Sequence, residues 1–317
     1  MNIVALDGHT LNPGDLTWEA IENLGEFKVH ERSTPDQILE RAEKATALLI
    51  NKVVLNKEIL TQLPHLKYIG VTATGYNNVD LVTAKKQGIV VTNVKAYSSN
   101  SVAQHTFGLI LALCNHIELH SQSVKNGDWT QCPDFSYWKT TLTELAGKTI
   151  GLIGLGDIGS KVAEIANAMD MKVIAFRKNS NKDTENFIKL VALKTLFETS
   201  DVISLHVPLT EDTHDIINWD SIKQMKPTAF IINTGRGPLV NEHDLARALN
   251  ENIIAGAGLD VLSSEPPKTD NPLFKAKNCI ITPHNAWASF EARKRLLHMT
   301  AENIIAYQNG EPINVVG

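Results

Sequence analysis

The sequence predicts an α/β protein of two doubly wound parallel-sheet domains, and three observations predict it. Short apolar runs alternate with stretches of helical apolar spacing from end to end, a glycine-rich turn stands at mid-chain between two such runs, and a full set of alternating elements already precedes that turn. The 317 residues suit about two domains, and 43% hydrophobic with 21% charged residues suits ordinary packed cores. The formal net charge of -5 does not describe a nucleic-acid or membrane surface, so small metabolites are the better partners.

Taken in order, residues 3–6, 47–50, 66–71 and 89–92 read as strands. Between them, 18–23, 35–44, 57–63 and 78–87 carry helical spacing, several opening on a proline or a capping residue. Residues 98–116, with Val102, Phe107, Leu109, Ile110, Leu111 and Leu113, predict a long buried connecting helix. Residues 125–143 are polar and turn-prone, yet hold Trp129, Phe135, Tyr137 and Trp138; such a cluster marks a contact with another chain or a lid.

The stretch 147–177, GKTIGLIGLGDIGSKVAEIANAMDMKVIAFR, reads as strand, tight turn, helix and strand. In that βαβ setting Gly154, Gly156 and Gly159 predict a dinucleotide site: one glycine for the turn, one for close approach of a pyrophosphate, one for helix packing. The helix N-terminus at Asp157 and Ile158 then faces the phosphates. Further strands are predicted at 202–205, 229–233, 254–259 and 279–281 and a helix at 242–250. The last helix, 289–308, is expected to return to the first domain. The predicted division is therefore 1–98 with 288–317 as a substrate domain and 99–287 as an inserted dinucleotide-binding Rossmann domain, with linkers near 96–100 and 286–290 and a ligand cleft between domains.

The opening MNIVALD shows no basic leader, and no run approaches the length of a membrane span, so a cytoplasmic location is expected. Cys114, Cys132 and Cys279 are widely spaced, which argues for reduced thiols and against a zinc site.

Three polar loops after strands can carry chemistry: Asn233-Thr234-Gly235-Arg236-Gly237, Ser263-Ser264-Glu265-Pro266-Pro267 and Thr282-Pro283-His284-Asn285. They offer an anion clamp, an acid and a base, the set that hydride transfer to a 2-keto acid needs. Each residue has a plainer reading, Arg236 as a surface ion-pair partner, Glu265 as a solvated charge, His284 as a loop or core histidine. Their common placement in loops facing one cofactor pocket favours the functional one.

The fingerprint, Asn233 to Gly237, Gly258-Leu259-Asp260-Val261, Glu265-Pro266-Pro267 and Thr282-Pro283-His284, with Gly70 to Gly75 and Ser101-Val102-Ala103-Gln104-His105, resemble the D-isomer-specific 2-hydroxyacid dehydrogenases over nearly the whole chain. Asp134 to Trp138 and His284 to Ala288 look most like the glycerate dehydrogenase, or hydroxypyruvate reductase, branch. The resemblance implies a flavodoxin-like substrate domain, NAD(P)-dependent reduction of hydroxypyruvate and glyoxylate, no metal, and a homodimer. It implies that Arg236 binds the carboxylate and keto oxygen, that His284 delivers the proton and that Glu265 hydrogen-bonds His284. Thr74 and Gly75 would meet the substrate carboxylate, Asp260 the nicotinamide amide, and Thr234, His206, Val207 and Pro208 the cofactor. A carboxylate beside an imidazole favours the imidazolium, which agrees with those roles.

Arg177 stands where the family normally has an Asp or Glu for the ribose 2′-hydroxyl. An arginine accommodates a 2′-phosphate. With Lys178, Ser180, Asn181 and Lys182 it leans the sequence toward NADPH, the alternative being that Arg177 stacks on adenine or faces solvent. Gln104 replaces a common glutamate and Gly235 a small Ala or Ser. Within the family the rivals are phosphoglycerate dehydrogenase, which often carries a regulatory tail, and formate dehydrogenase, whose catalytic histidine pairs with a glutamine. From another class the rival is a dinucleotide-sensing scaffold of the corepressor type.

Overall fold

A computed structural model of the chain describes residues 1–178 and 184–317. The chain divides into two compact units, residues 1–98 with 287–317, and residues 99–286.

In the first unit, among the described residues, five parallel strands, β1 (Asn2–Ala5), β2 (Glu26–Val29), β3 (Ala47–Ile50), β4 (Tyr68–Val71) and β5 (Val90–Thr92), run in the order β2-β1-β3-β4-β5. That order is the flavodoxin-like one. The strands β3 and β4 are buried along their whole length, as a sheet covered on both faces requires. One face packs Ile38, Leu60 and Ala84 from short helices. The other packs Ala292, Leu296, Ala301 and Ile304 from the C-terminal helix Phe290–Gln308. Each large side chain so buried contributes about 1.5–3 kcal/mol. Where the strand order reverses, between β1 and β3, the Asp7 carboxylate accepts from the backbone amides of Asn51, Lys52 and Val53. Trp287, assigned from sequence to the second domain, belongs to this unit instead, its ring meeting Tyr97 edge-on at 6.3 Å.

The second unit holds seven parallel strands among the described residues: β6 (Thr149–Ile153), β7 (Lys172–Phe176), β8 (Ile188–Leu190), β9 (Val202–Leu205), β10 (Phe230–Asn233), β11 (Gly256–Leu259) and β12 (Cys279–Ile281). Their order is β12-β11-β10-β9-β6-β7-β8, so the direction of winding reverses between β6 and β9. The connecting helix Ser99–Asn115 and the fingerprint helix Asp157–Ala168 cover one face through Phe107, Ile110, Val162 and Ala166. Leu196, Phe197, Leu245 and Leu249 cover the other. Both units have the α/β class that the alternation predicts.

Local differences have local causes. The strand β2 escapes the sequence reading because it lies at the sheet edge, mostly exposed, with no apolar run. After Asn115 the chain turns at His116, in the left-handed region at φ 46°, and continues as a second helix, Ile117–Lys125. That helix anchors the aromatic segment through Ser123, whose hydroxyl meets the Tyr137 hydroxyl at 2.8 Å and Asp128 at 2.6 Å. Phe135 and Trp138 stay 92% and 69% exposed, far beyond what an isolated folded chain needs to show of large apolar side chains.

Candidate active site

Because every strand of the second unit runs the same way, the loops after β6, β7, β9, β10, β11 and β12 emerge along one edge of the sheet. Nearly all the residues singled out from sequence in this unit stand in those loops. The glycine turn follows β6. Gly154 is left-handed at φ 101°, and a Cβ there would collide with the His206 carbonyl. A Cβ at Gly159 would collide with the Gly154 carbonyl. At Gly156 a Cβ would meet nothing within 4 Å. Two of the glycines therefore serve packing and the middle one borders open space. The helix beginning at Asp157 has Gly156 as its N-cap and no side-chain cap, so the amides of Asp157, Ile158 and Gly159 are available to an anion. These features fit a dinucleotide diphosphate.

Arg177 and Lys178 follow β7. Arg177 is half-buried, and its Nε and Nη2 have no hydrogen-bond partner among the described residues, a costly arrangement unless a ligand supplies acceptors. Lys178 is exposed and pairs with Asp212 at 2.7 Å, a contact that solvent makes weak. Ser180, Asn181 and Lys182 lie outside the described residues.

After β9, beside the glycine turn, come His206, Val207 and Pro208. The His206 amide donates to the Ile153 carbonyl at 2.7 Å, and its Nε2 meets the Ser204 hydroxyl at 2.9 Å. Burial pushes the imidazole down to about 4, so it is neutral at physiological pH. After β10, Thr234 is buried, its hydroxyl 3.1 Å from that of Thr106. The Asn233 side chain closes the next turn, accepting from the Gly235 amide and donating to the Arg236 carbonyl. This leaves Arg236 exposed, with a 2.8 Å bond from Nη1 to the Gly235 carbonyl.

The remaining groups form one assembly around Asp260, which follows β11 and is 1% exposed. Its Oδ1 accepts from the Thr282 hydroxyl at 2.6 Å and the Asn285 amide at 3.0 Å, and its Oδ2 from the Ala286 amide at 2.9 Å. The loop after β12 is thereby wrapped on a buried carboxylate. At its apex His284 is left-handed at φ 53°, a conformation that costs a side-chain-bearing residue about 1–2 kcal/mol, and its amide donates to the Asp260 carbonyl at 2.8 Å. The His284 Nδ1 lies 2.6 Å from Glu265 Oε2, while Glu265 Oε1 accepts from the Leu262 amide at 3.1 Å. A carboxylate accepts only, so Nδ1 carries the hydrogen and Nε2 is the ring atom left for other work.

Sequence reasoning gave no role to the residues that hold this assembly, although Ser101 and His105 stand in one of the motifs that carry the resemblance. Glu242 accepts from the Ser263 amide at 2.6 Å and from the Asn271 side chain at 2.8 Å, fixing the loop that carries Glu265. Ser101 donates to the Ala286 carbonyl at 2.6 Å, and His105 meets the Thr282 hydroxyl at 2.9 Å. Their partners are remote in sequence, and no local pattern announces these contacts. Thr74 and Gly75 belong to the other unit, after β4, with the Thr74 hydroxyl donating to the Val94 carbonyl at 3.0 Å. Among the described residues no group of three His, Cys, Asp or Glu is placed to hold a metal, and no helix is long and apolar enough to cross a membrane.

The NAD-binding domain of the D-isomer-specific 2-hydroxyacid dehydrogenases matches residues 107–286. A hydroxypyruvate reductase from Blautia hydrogenotrophica is 45% identical over 100% of this chain and 99% of its own. A glycerate dehydrogenase from Methylorubrum extorquens is 43% identical over 99% of this chain and 98% of its own. Among solved structures, an acyclic imino acid reductase in complex with NADPH and D-Arg superposes with a TM-score of 0.87 at 34% identity, covering 100% of both chains.

The lowered His206 titration has a consequence for stability. Unfolding returns the ring to its ordinary value near 6.5, so the unfolded chain takes up a proton that the folded one refuses. Stability from this group is complete above pH 6.5 and is lost as pH falls toward 4. His206→Gln should lose less between pH 7 and pH 5 than the parent, as read from urea midpoints at the two pH values. An equal loss in both would show that His206 does not govern this range.

Proposed function

We propose, since this chain belongs to the D-isomer-specific 2-hydroxyacid dehydrogenases, that it reduces hydroxypyruvate to D-glycerate and, with the same groups, glyoxylate to glycolate, reversibly. The observation that carries this reading is the His284 to Glu265 contact, at the sheet edge that also bears the glycine turn. The named relatives support the choice of hydroxypyruvate. Glyoxylate presents the same 2-keto carboxylate without the hydroxymethyl group.

The bound reduced nicotinamide supplies the hydride. His284 holds the proton for the carbonyl oxygen on Nε2, because Glu265 faces Nδ1 and fixes the ring. As the carbonyl π bond breaks, one C-H bond forms at C2 and one O-H bond at the oxygen. In the reverse direction neutral His284 takes that proton back. Arg236, with its guanidinium exposed, is the group for the substrate carboxylate and keto oxygen. Asp260 holds the His284 loop and would also offer an acceptor to the nicotinamide amide. Thr234, His206, Val207 and Pro208 would line the cofactor alongside Gly154, Gly156, Asp157, Ile158 and Gly159.

For the cofactor we favour NADPH. Arg177 carries two guanidinium nitrogens without acceptors among the described residues, and a 2′-phosphate is an acceptor of the right charge. The exposed Trp129, Phe135 and Trp138 support a homodimer formed through the connecting helix and the aromatic 125–143 arm. The unpaired thiols of Cys114, Cys132 and Cys279 support a cytoplasmic setting.

A panel of 2-keto acids from glyoxylate to phenylpyruvate, assayed with each cofactor, tests the activity. Hydroxypyruvate should give the highest kcat/KM. Turnover of phosphohydroxypyruvate alone would move the protein to the phosphoglycerate branch, and no turnover at all would favour the sensing scaffold. His284→Ala should keep cofactor affinity and lower kcat by at least about a hundredfold, the scale of a lost general acid; near-parental turnover would remove His284 from the mechanism. The parent should prefer NADPH in kcat/KM and Arg177→Asp should reverse that preference, whereas an NADH-preferring parent would overturn the assignment. Size-exclusion chromatography with light scattering should give twice the chain mass, a monomer at micromolar concentration being the contrary result.

A further inference from the structure

We infer that His105, on the connecting helix, is a positioning residue for the reaction: with Ser101 it clamps the loop that aims His284. The inference rests on the reading of His284 as proton donor. It begins with hydrogen inventory. The Thr282 hydroxyl has one hydrogen, and the Asp260 carboxylate, 2.6 Å away, can only accept it. Toward His105 Nε2, 2.9 Å distant, the same hydroxyl can then only accept. His105 Nε2 therefore carries a hydrogen and donates, and the direction of the whole chain, His105 to Thr282 to Asp260, is fixed.

The same Nε2 lies 3.5 Å from Asp260 Oδ1, close enough for its N-H dipole to stabilise a carboxylate that is 1% exposed. Ser101 and His105 stand four residues apart on one helix, hence on one face. From that face Ser101 holds Ala286 and His105 holds Thr282, the two ends of the loop with His284 between them. The left-handed backbone of His284 persists because its neighbours are held on both sides. Loosening one end lets the imidazole leave its line to the substrate while the glycine turn, on another strand, stays as it was. A displacement of this kind lowers kcat more than it weakens binding.

The test uses the full chain with hydroxypyruvate and saturating cofactor. His105→Leu should fold, as judged by a cooperative melt, keep cofactor Kd within about twofold by fluorescence titration, and lose about tenfold in kcat. His105→Gln places an amide N-H at a similar reach and should recover most of that loss. Thr282→Val should cost as much as His105→Leu, and the double variant no more than either alone, because both break one chain. Parental kcat in His105→Leu, or a His105→Gln as slow as His105→Leu, would overturn the inference. So would a rise in KM at unchanged kcat. His284→Ala, measured alongside, separates the two failures. An active His284→Ala sinks the proton-donor reading itself; an inactive one beside a fully active His105→Leu sinks only the clamp.

Discussion

The buried carboxylate of Asp260 is the constraint on which the candidate site depends. A charge with 1% exposure is tolerable only when its oxygens are served by donors, and here the donors come from a single loop. Satisfying Asp260 and shaping the loop are thus one event. The turn that puts His284 opposite Glu265 follows from where the hydroxyl of Thr282 and the amides of Asn285 and Ala286 must point. The His284 and Glu265 side chains are half-buried, but their geometry is dictated from the interior.

A second constraint is the uniform strand direction. Parallel strands discharge all their following loops at one edge, so the glycine turn, Arg177, His206, Thr234, Arg236, Asp260 and His284 become neighbours of that edge despite their wide spacing along the chain. The winding reverses between β6 and β9, and there the two backbones approach so closely that Gly154 admits no Cβ, while Gly159 admits none because the Gly154 carbonyl lies against it. Packing pressure and ligand access thereby fall on different glycines of the same fingerprint. Of the three, Gly156 is the one that borders open space.

The extent to which these features are legible in the sequence depends on how local their physics is. Alternating apolar runs and helical spacing are local, so the α/β class and most strands of both sheets can be read directly. The glycine turn is equally local. The edge strand β2 is not, because its side chains are mostly in water and its Glu-Phe-Lys-Val has no pattern. His116 adopts a left-handed turn that histidine seldom signals. At the site, Arg236, Glu265 and His284 stand out by type and position in loops. His105 and Ser101 do not, since their partners are 177 and 185 residues away and a polar residue on a helix is commonplace. Glu242 reads as an ordinary acidic residue in the first turn of a helix until the loop it holds is seen.

The division of the first unit between residues 1–98 and 287–317 also sets an order of assembly during synthesis. Its sheet is complete once β5 has been made, but one face, on which Leu11 and Ile21 already pack, is covered only in part. Ile3, Leu49 and Tyr68 on that face are covered by Leu296 and Ile304, which are translated after the whole second unit. A ribosome therefore releases a nucleotide-binding unit able to close its own core while the first half still waits with an apolar surface uncovered. The last helix is the element that finally covers that surface.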